Sequence, residues 1–169
     1  MLQRMVNYSL LLFFLFSSAA YALTEDKEQV MHVMADSADL SQQDHKGTYT
    51  GNVELVQGTT NLHADKAVTI GNEKNQLVVA IANGTKEKQA HYWTITDPQK
   101  PPVHAYADTI RYYPLRHLIE LIGNARVEQG KNSFSAAKIS YDTVKQHVLS
   151  QGDDSKRIVI IYHPEKKSS

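Results

Sequence analysis

Apolar and polar residues alternate along most of this chain, in short runs broken by glycine, asparagine and proline. A period of two predicts strands rather than helices. The runs cover residues 30–34, 48–50, 53–56, 61–64, 68–70, 76–82, 92–96 and 158–162, with a further set between 103 and 141. Turn residues punctuate them at Gly51-Asn52, Gln57-Gly58, 71–75 and 152–155, as in hairpins. The loop 97–102 holds prolines that cannot sit in a strand interior. These signals recur. His32, Ala35, Asp36, Gly51, Asn52, Gln57, Gly58, Ala64 and Lys66 return as His104, Ala107, Asp108, Gly123, Asn124, Gln129, Gly130, Ala136 and Lys138, always 72 positions on. One β-rich unit is therefore built twice and its copies stack. The fold class is all-β, of short antiparallel strands in two stacked repeats, as a sandwich, jelly roll or barrel.

Alternation also sorts side chains by face. Met31 and Val33 share one, as do Leu62 and Ala64 with their repeat mates Phe134 and Ala136. Ile110 pairs with Tyr112, and Ile119 with Leu121; Leu55 lies in the run 53–56. Such a face lines either an ordinary closed core or an interior that takes a ligand, and period two alone does not choose.

The two ends have a different character. Residues 30–35 carry no charge, and 158–162 is a flat β-branched run limited only by Lys156, Arg157 and Pro164. Free sheet edges are usually guarded by charge, proline or bulges. Either both strands are central and already paired, or they are free edges. In the second case Val30, His32 and Met34 at one end, and Ile158, Ile160 and Tyr162 at the other, offer themselves for strand addition. Two unlike surfaces meeting head to tail propagate rather than close.

Residues 1–22 read as a cleavable signal peptide. Arg4 supplies the positive end, 10–16 is unbroken apolar sequence, and Ala20-Tyr21-Ala22 offers a small-x-small cleavage site. The apolar run is far short of the ~20 residues that span a bilayer. A retained anchor is the competing reading, against the polar Thr24-Glu25-Asp26-Lys27 that follows. The folded domain is expected over 23–163, with 164–169 as a tail. The chain has no cysteine, so an exported form has neither disulfides nor a thioether-linked lipid. Without Arg4, 17 basic residues face 18 acidic ones. That balance gives no electrostatic reason for a nucleic-acid partner.

Candidate chemistry is sparse. The eight histidines, at 32, 45, 63, 91, 104, 117, 147 and 163, show no i, i+2 or i, i+4 pairs and no cysteine partners, so no metal site and no cofactor is expected. His32 and His104, as repeat mates, serve a scaffold or a surface. There is no Gly-x-Ser-x-Gly, and Ser37, Ser41 and Ser155 sit in turn-like contexts. Gly47, Gly51 and Gly58 lack the helix and Gly-Lys-Ser/Thr of a phosphate cradle. Asp36 reads as a turn acceptor beside Asp39, and Asp153-Asp154 as a solvated loop. No nucleophile, base and oxyanion donor assemble, so catalysis is not expected.

His32-Val33-Met34-Ala35-Asp36, Tyr49-Thr50-Gly51-Asn52-Val53, Val56-Gln57-Gly58 and Leu62-His63-Ala64-Asp65-Lys66 together resemble the signature of the OstA-like domain. Ile122-Gly123-Asn124-Ala125 and Ala137-Lys138-Ile139-Ser140-Tyr141 continue it in the second half. The resemblance runs from about residue 29 to about 162. It departs at 84–90, which lacks the family's proline and leaves Tyr92 or Trp93 as the inward aromatic. The resemblance implies an elongated, twisted β-jelly roll open at both ends, holding lipopolysaccharide by its lipid A acyl chains. It implies a place in the periplasm, in a bridge between inner-membrane anchored and outer-membrane barrel members, with self-association head to tail. On that reading Met31, Val33, Leu55, Leu62, Ile110, Tyr112, Leu121 and Phe134 meet the acyl chains. Each buried methylene contributes ~0.8 kcal/mol, and apolar burial needs no fixed polar contacts. The alternative is an exported β-sandwich scaffold or assembly chaperone that binds only protein; it would have a dry, filled core.

Overall fold

Turn chemistry decides where each strand of the two copies begins, bends and ends. The computed structural model describes residues 29–145, 147–154 and 157–164. The first copy forms β1 (Met31–Met34), β2 (Ser37–Ser41), β3 (Lys46–Gln57), β4 (Thr60–Gly71), β5 (Leu77–Asn83) and β6 (Ala90–Thr94). The second forms β7 (Val103–Ala107), β8 (Thr109–Tyr113), β9 (Leu118–Gln129), β10 (Asn132–Asp142), β11 (His147–Gln151) and β12 (Val159–Ile161). Among the described residues the only helical segment is one 3-10 turn at Pro114–Arg116. The expected leader, and the tail beyond Pro164, lie outside the described residues, as does Lys156.

Gln57-Gly58 turns the chain as expected: β3 and β4 close through the two-residue loop Gly58-Thr59, with Gly58 at φ 57°. Gly130 does the same between β9 and β10 at φ 60°. Gly51-Asn52 does not. It is a bulge in the middle of the twelve-residue β3, with φ of 78° and 45° and a register shift between Thr50 and Val53. Two residues of β3 there oppose one of β4, which bends both strands. Runs 48–50 and 53–56 are thus one strand, and 61–64 with 68–70 another. Gly123-Asn124 bends β9 against β10 in the same way.

A brace holds each bend. The Asp36 N–H donates to the Gly51 carbonyl at 2.9 Å, and Asn52 Nδ2 donates to Asp36 Oδ2 at 3.0 Å. The mates repeat this: Asp108 N–H to Gly123 O at 2.9 Å, and Asn124 Nδ2 to Asp108 Oδ2 at 2.8 Å. A Cβ on either glycine would run into the carboxylate. Asp36, Gly51 and Asn52 recur together because they build one device.

The bends let four long strands serve two layers. In the first, the C-terminal part of β3 and N-terminal part of β4 lie between β1 and β6; then come β7, the matching parts of β9 and β10, and β12. The second layer runs β2, the other halves of β3 and β4, β5, β8, the other halves of β9 and β10, then β11. Every pairing is antiparallel. β2, read from sequence as turn-like because of its serines, pairs with β3 from Ser37↔Thr50 to Ser41↔Lys46. The inner faces of both layers share one apolar cluster.

Candidate functional site

One apolar row crosses the whole inner face of the first layer. Direct cross-strand partners place Val33, Leu55, Leu62, Tyr92, Ala105, Val127, Phe134 and Ile160 side by side, one from each of eight strands. Residues directly opposite point to the same face, so the row is continuous. Nearer the bend come Val53, Ala64, Ala90, Ala107, Ala125 and Ala136, nearly all fully buried. There the first layer contributes mostly small side chains, in one buried cluster with Ile110, Leu121 and Ile139 of the second. The inner face of the second layer carries Ala82, Ile110, Leu121 and Ile139 in direct register. Tyr112 and Ile119 form part of the next row outward.

The interior is therefore a slot, narrow and dry at the bend and open beyond it. Leu55, Leu62, Tyr92, Val127 and Phe134 are only half-buried, and the row ends at Val33 and Ile160, 40 % and 51 % exposed. A line of large apolar groups left incompletely covered marks a binding surface. Of the residues expected to line it, Val33, Leu55, Leu62 and Phe134 fall in the single row, with Met31 on the same face of β1. Ile110 and Leu121 lie on the opposite wall, sealed at 7 % and 4 % exposure, with half-buried Tyr112 beside them. Tyr92, not Trp93, is the inward aromatic: it packs on the core cluster, while Trp93 belongs to the other face of β6. Val127 was not singled out from sequence, although it is the repeat mate of Leu55 and so carried a signal.

Both ends of the slot are free edges. Among the described residues β1 and β2 pair only with β3, and β11 and β12 only with β10. Val30, Met31, Met34 and Leu40 at one end, and residues 158–162 at the other, leave their apolar side chains exposed. The strands proper are shorter than the runs suggested, since Val30, Ile158 and Tyr162 flank β1 and β12 rather than extend them.

Five of the histidines take structural places in turns or on the outer face. His45 and His117, also 72 apart, adopt the left-handed conformation at the β2–β3 and β8–β9 connections, where their carbonyls accept from Gly71 and Thr143. On the outer face of the first layer, His91 stacks between Trp93 at 4.6 Å and Tyr106 at 4.2 Å. His91 Nε2 lies 3.0 Å from His104 Nδ1, His63 meets the Trp93 ring edge-on, and Arg126 lies over Tyr106. Burial, then the neighbouring His104, His63, Lys88 and Arg126, lower the His91 pKa from 6.5 to about 4. Its ring is neutral at pH 7, which is what a stacked, partly desolvated imidazole requires. Among the described residues no group of three or more histidine or acidic side chains converges on a common point, and no helix is long and apolar enough to cross a membrane.

The chain is thus a repeat-built, two-layer β-jelly roll with an apolar slot between its terminal edges. Residues 32–147 match the family model of the LptA/(LptD N-terminal domain) LPS transport protein, and the chain belongs to that family. It is 34% identical over 160 residues to the lipopolysaccharide export system protein LptH of Pseudomonas aeruginosa, covering 90% of this chain and 89% of the relative. To the lipopolysaccharide export system protein LptA of Escherichia coli K12 it is 30% identical over 152 residues, or 89% and 80% of the two chains. The crystal structure of Pseudomonas aeruginosa LptH, described as the LptA-homologous periplasmic component of the conserved lipopolysaccharide transport device, superposes with a TM-score of 0.71 at 31% identity. That match covers 82% of this chain and 99% of the other.

Proposed function

We propose that this chain is a periplasmic carrier segment for lipopolysaccharide, holding the lipid A acyl chains in its slot. The observation that carries this is the unbroken row from Val33 to Ile160, half-covered except at buried Ala105 and exposed at both ends. Met31, Val33, Leu55, Leu62, Tyr112 and Phe134 contact the chains, over a floor that includes Ile110 and Leu121. Such a surface grips without specificity of direction, so a chain can slide along it. A filled interior, as a protein-only scaffold would have, leaves no reason for large side chains to stay half-exposed. No step needs a cofactor or a catalytic group. The leader at 1–22 delivers the chain to the periplasm.

The free edges supply the connections. The β1 edge accepts the inner-membrane anchored member of the bridge, the β12 edge the outer-membrane barrel member, and like copies join head to tail by strand addition. Photo-crosslinkers at Val33 and Leu62 are expected to capture lipopolysaccharide, whereas those at His32 and His63, one residue along each strand and on the opposite face, are not. Equal capture from both faces would refute the slot reading.

A further inference from the structure

The two repeats share a strand plan but not a wall. On the inner face of the second layer, Ile110, Ile119, Leu121, Ile139 and Tyr141 of the second repeat correspond, 72 positions back, to Ala38, Gly47, Tyr49, Ala67 and Thr69 of the first. Four of these five exchanges remove bulk. In the second repeat Ile110, Leu121 and Ile139 seal the wall, each under a tenth exposed. In the first repeat an open hollow of about 490 Å³ lies at this place, walled by Leu40, Gly47, Tyr49, Thr69 and Leu77. Gly47 is its tightest point: a Cβ there would lie 2.7 Å from Thr69 Oγ1, 3.1 Å from the Tyr49 hydroxyl and 3.2 Å from Leu40 Cδ2. Its rim, by contrast, is polar, with Gln42, His45, Lys46 and Asn75 from the β2–β3 and β4–β5 connections.

We infer that the first repeat carries a preformed seat for one acyl chain of an amphiphile, with its polar part at the rim, while the second repeat is a closed buttress. The inference rests on the carrier reading above and adds a place to it. The volume lies in the range of ~300–1,000 Å³ typical of small-molecule sites. The seat lies on the inner face of the second layer, because Tyr49 and Ala67 begin the cross-strand row that runs through Ala82 to Ile110, Leu121 and Ile139. Cargo therefore rests toward the β1–β2 end, in the half where the wall is thin, and passes the second half between the first-layer row and Tyr112. An interior built from two equal repeats would have no preferred resting place; the exchanges at Gly47 and Thr69 create one.

The test uses full-length mature protein and purified lipopolysaccharide, with a photo-crosslinker at Tyr49 in one preparation and at Leu62 in another. Adducts are expected at both. Thr69→Tyr, which copies Tyr141 of the second repeat, should lower the Tyr49 adduct about tenfold or more, as excess volume does in an apolar pocket, and leave the Leu62 adduct unchanged. Leu40→Trp, at an exposed position on an edge strand that tolerates a large side chain, should act the same way. Thr69→Val, which adds no volume, should retain both adducts. Capture at Leu62 without capture at Tyr49 would overturn the seat and spare the carrier reading. No capture at either position would overturn both. A Tyr49 adduct undiminished by both filling variants would also overturn the seat.

Discussion

Gly123→Ala tests the brace that sets the angle between the layers, and its cost can be worked from the structure. Gly123 sits at φ 77°, where an L side chain costs roughly 1–2 kcal/mol. The new methyl would also run into the Asp108 carboxylate, which must then turn away. That carboxylate accepts from Asn124 Nδ2 at 2.8 Å and Gln89 Nε2 at 3.1 Å; losing both removes about 0.5–1.5 kcal/mol each. The total is about 2–5 kcal/mol, a large share of the ~5–15 kcal/mol that holds a domain folded. Urea unfolding followed by the fluorescence of the single Trp93 should show a lower midpoint at an unchanged slope. The control is the pair Asp108→Ala with Gly123→Ala. Removing the carboxylate removes the closest contact and leaves only the Asp108 Cβ at 3.0 Å, so the double variant should lose less than the two single losses combined. A Gly123→Ala cost below about 1 kcal/mol, or strict additivity of the pair, would refute the brace.

Gly51→Ala should cost less than Gly123→Ala by the same assay, because among the described residues Asp36 has no counterpart of the Gln89 bond. Ile139→Ala, in the sealed wall at 2 % exposure, should lose about 2–5 kcal/mol in denaturant unfolding; half-buried Leu55→Ala should lose clearly less. Below pH 6.5 the unfolded chain takes up a proton that folded His91 refuses until about pH 4, so its contribution to stability is intact at neutral pH and falls through that window. His91→Phe should flatten this part of the stability–pH profile, measured by denaturant unfolding against the unchanged protein; the groups around it are His63, His104, Lys88, Arg126, Glu54 and Glu128. Val159→Lys with Ile161→Lys places charge on the β12 edge, and should abolish concentration-dependent chain growth in sedimentation while leaving lipopolysaccharide capture at Leu62.

What the sequence by itself determined is local or periodic. The offset of 72 announced two copies, because identical turns require identical glycines and asparagines. Alternation put Met31, Val33, Leu62, Phe134, Ile110 and Leu121 on inward faces, because successive side chains of a strand point to opposite sides whatever lies across from them. Tertiary structure decided the rest. Gly51-Asn52 carries the dihedrals of a turn, yet becomes a bulge because β4 continues past it and offers one residue against two. Whether Tyr92 or Trp93 faces inward depends on register with Leu62 and Ala105, which neither residue encodes alone. Among the described residues the terminal runs are free edges, because the long strands beside them turn their other sides inward to the sheet. Leu121 and Tyr49 occupy equivalent positions in the repeat, but one is sealed and the other borders an open hollow. That difference comes from the partners each meets across the sheet, Ile110 and Ile139 against Ala38 and Ala67, and packing is a property of neighbours brought together only by the fold.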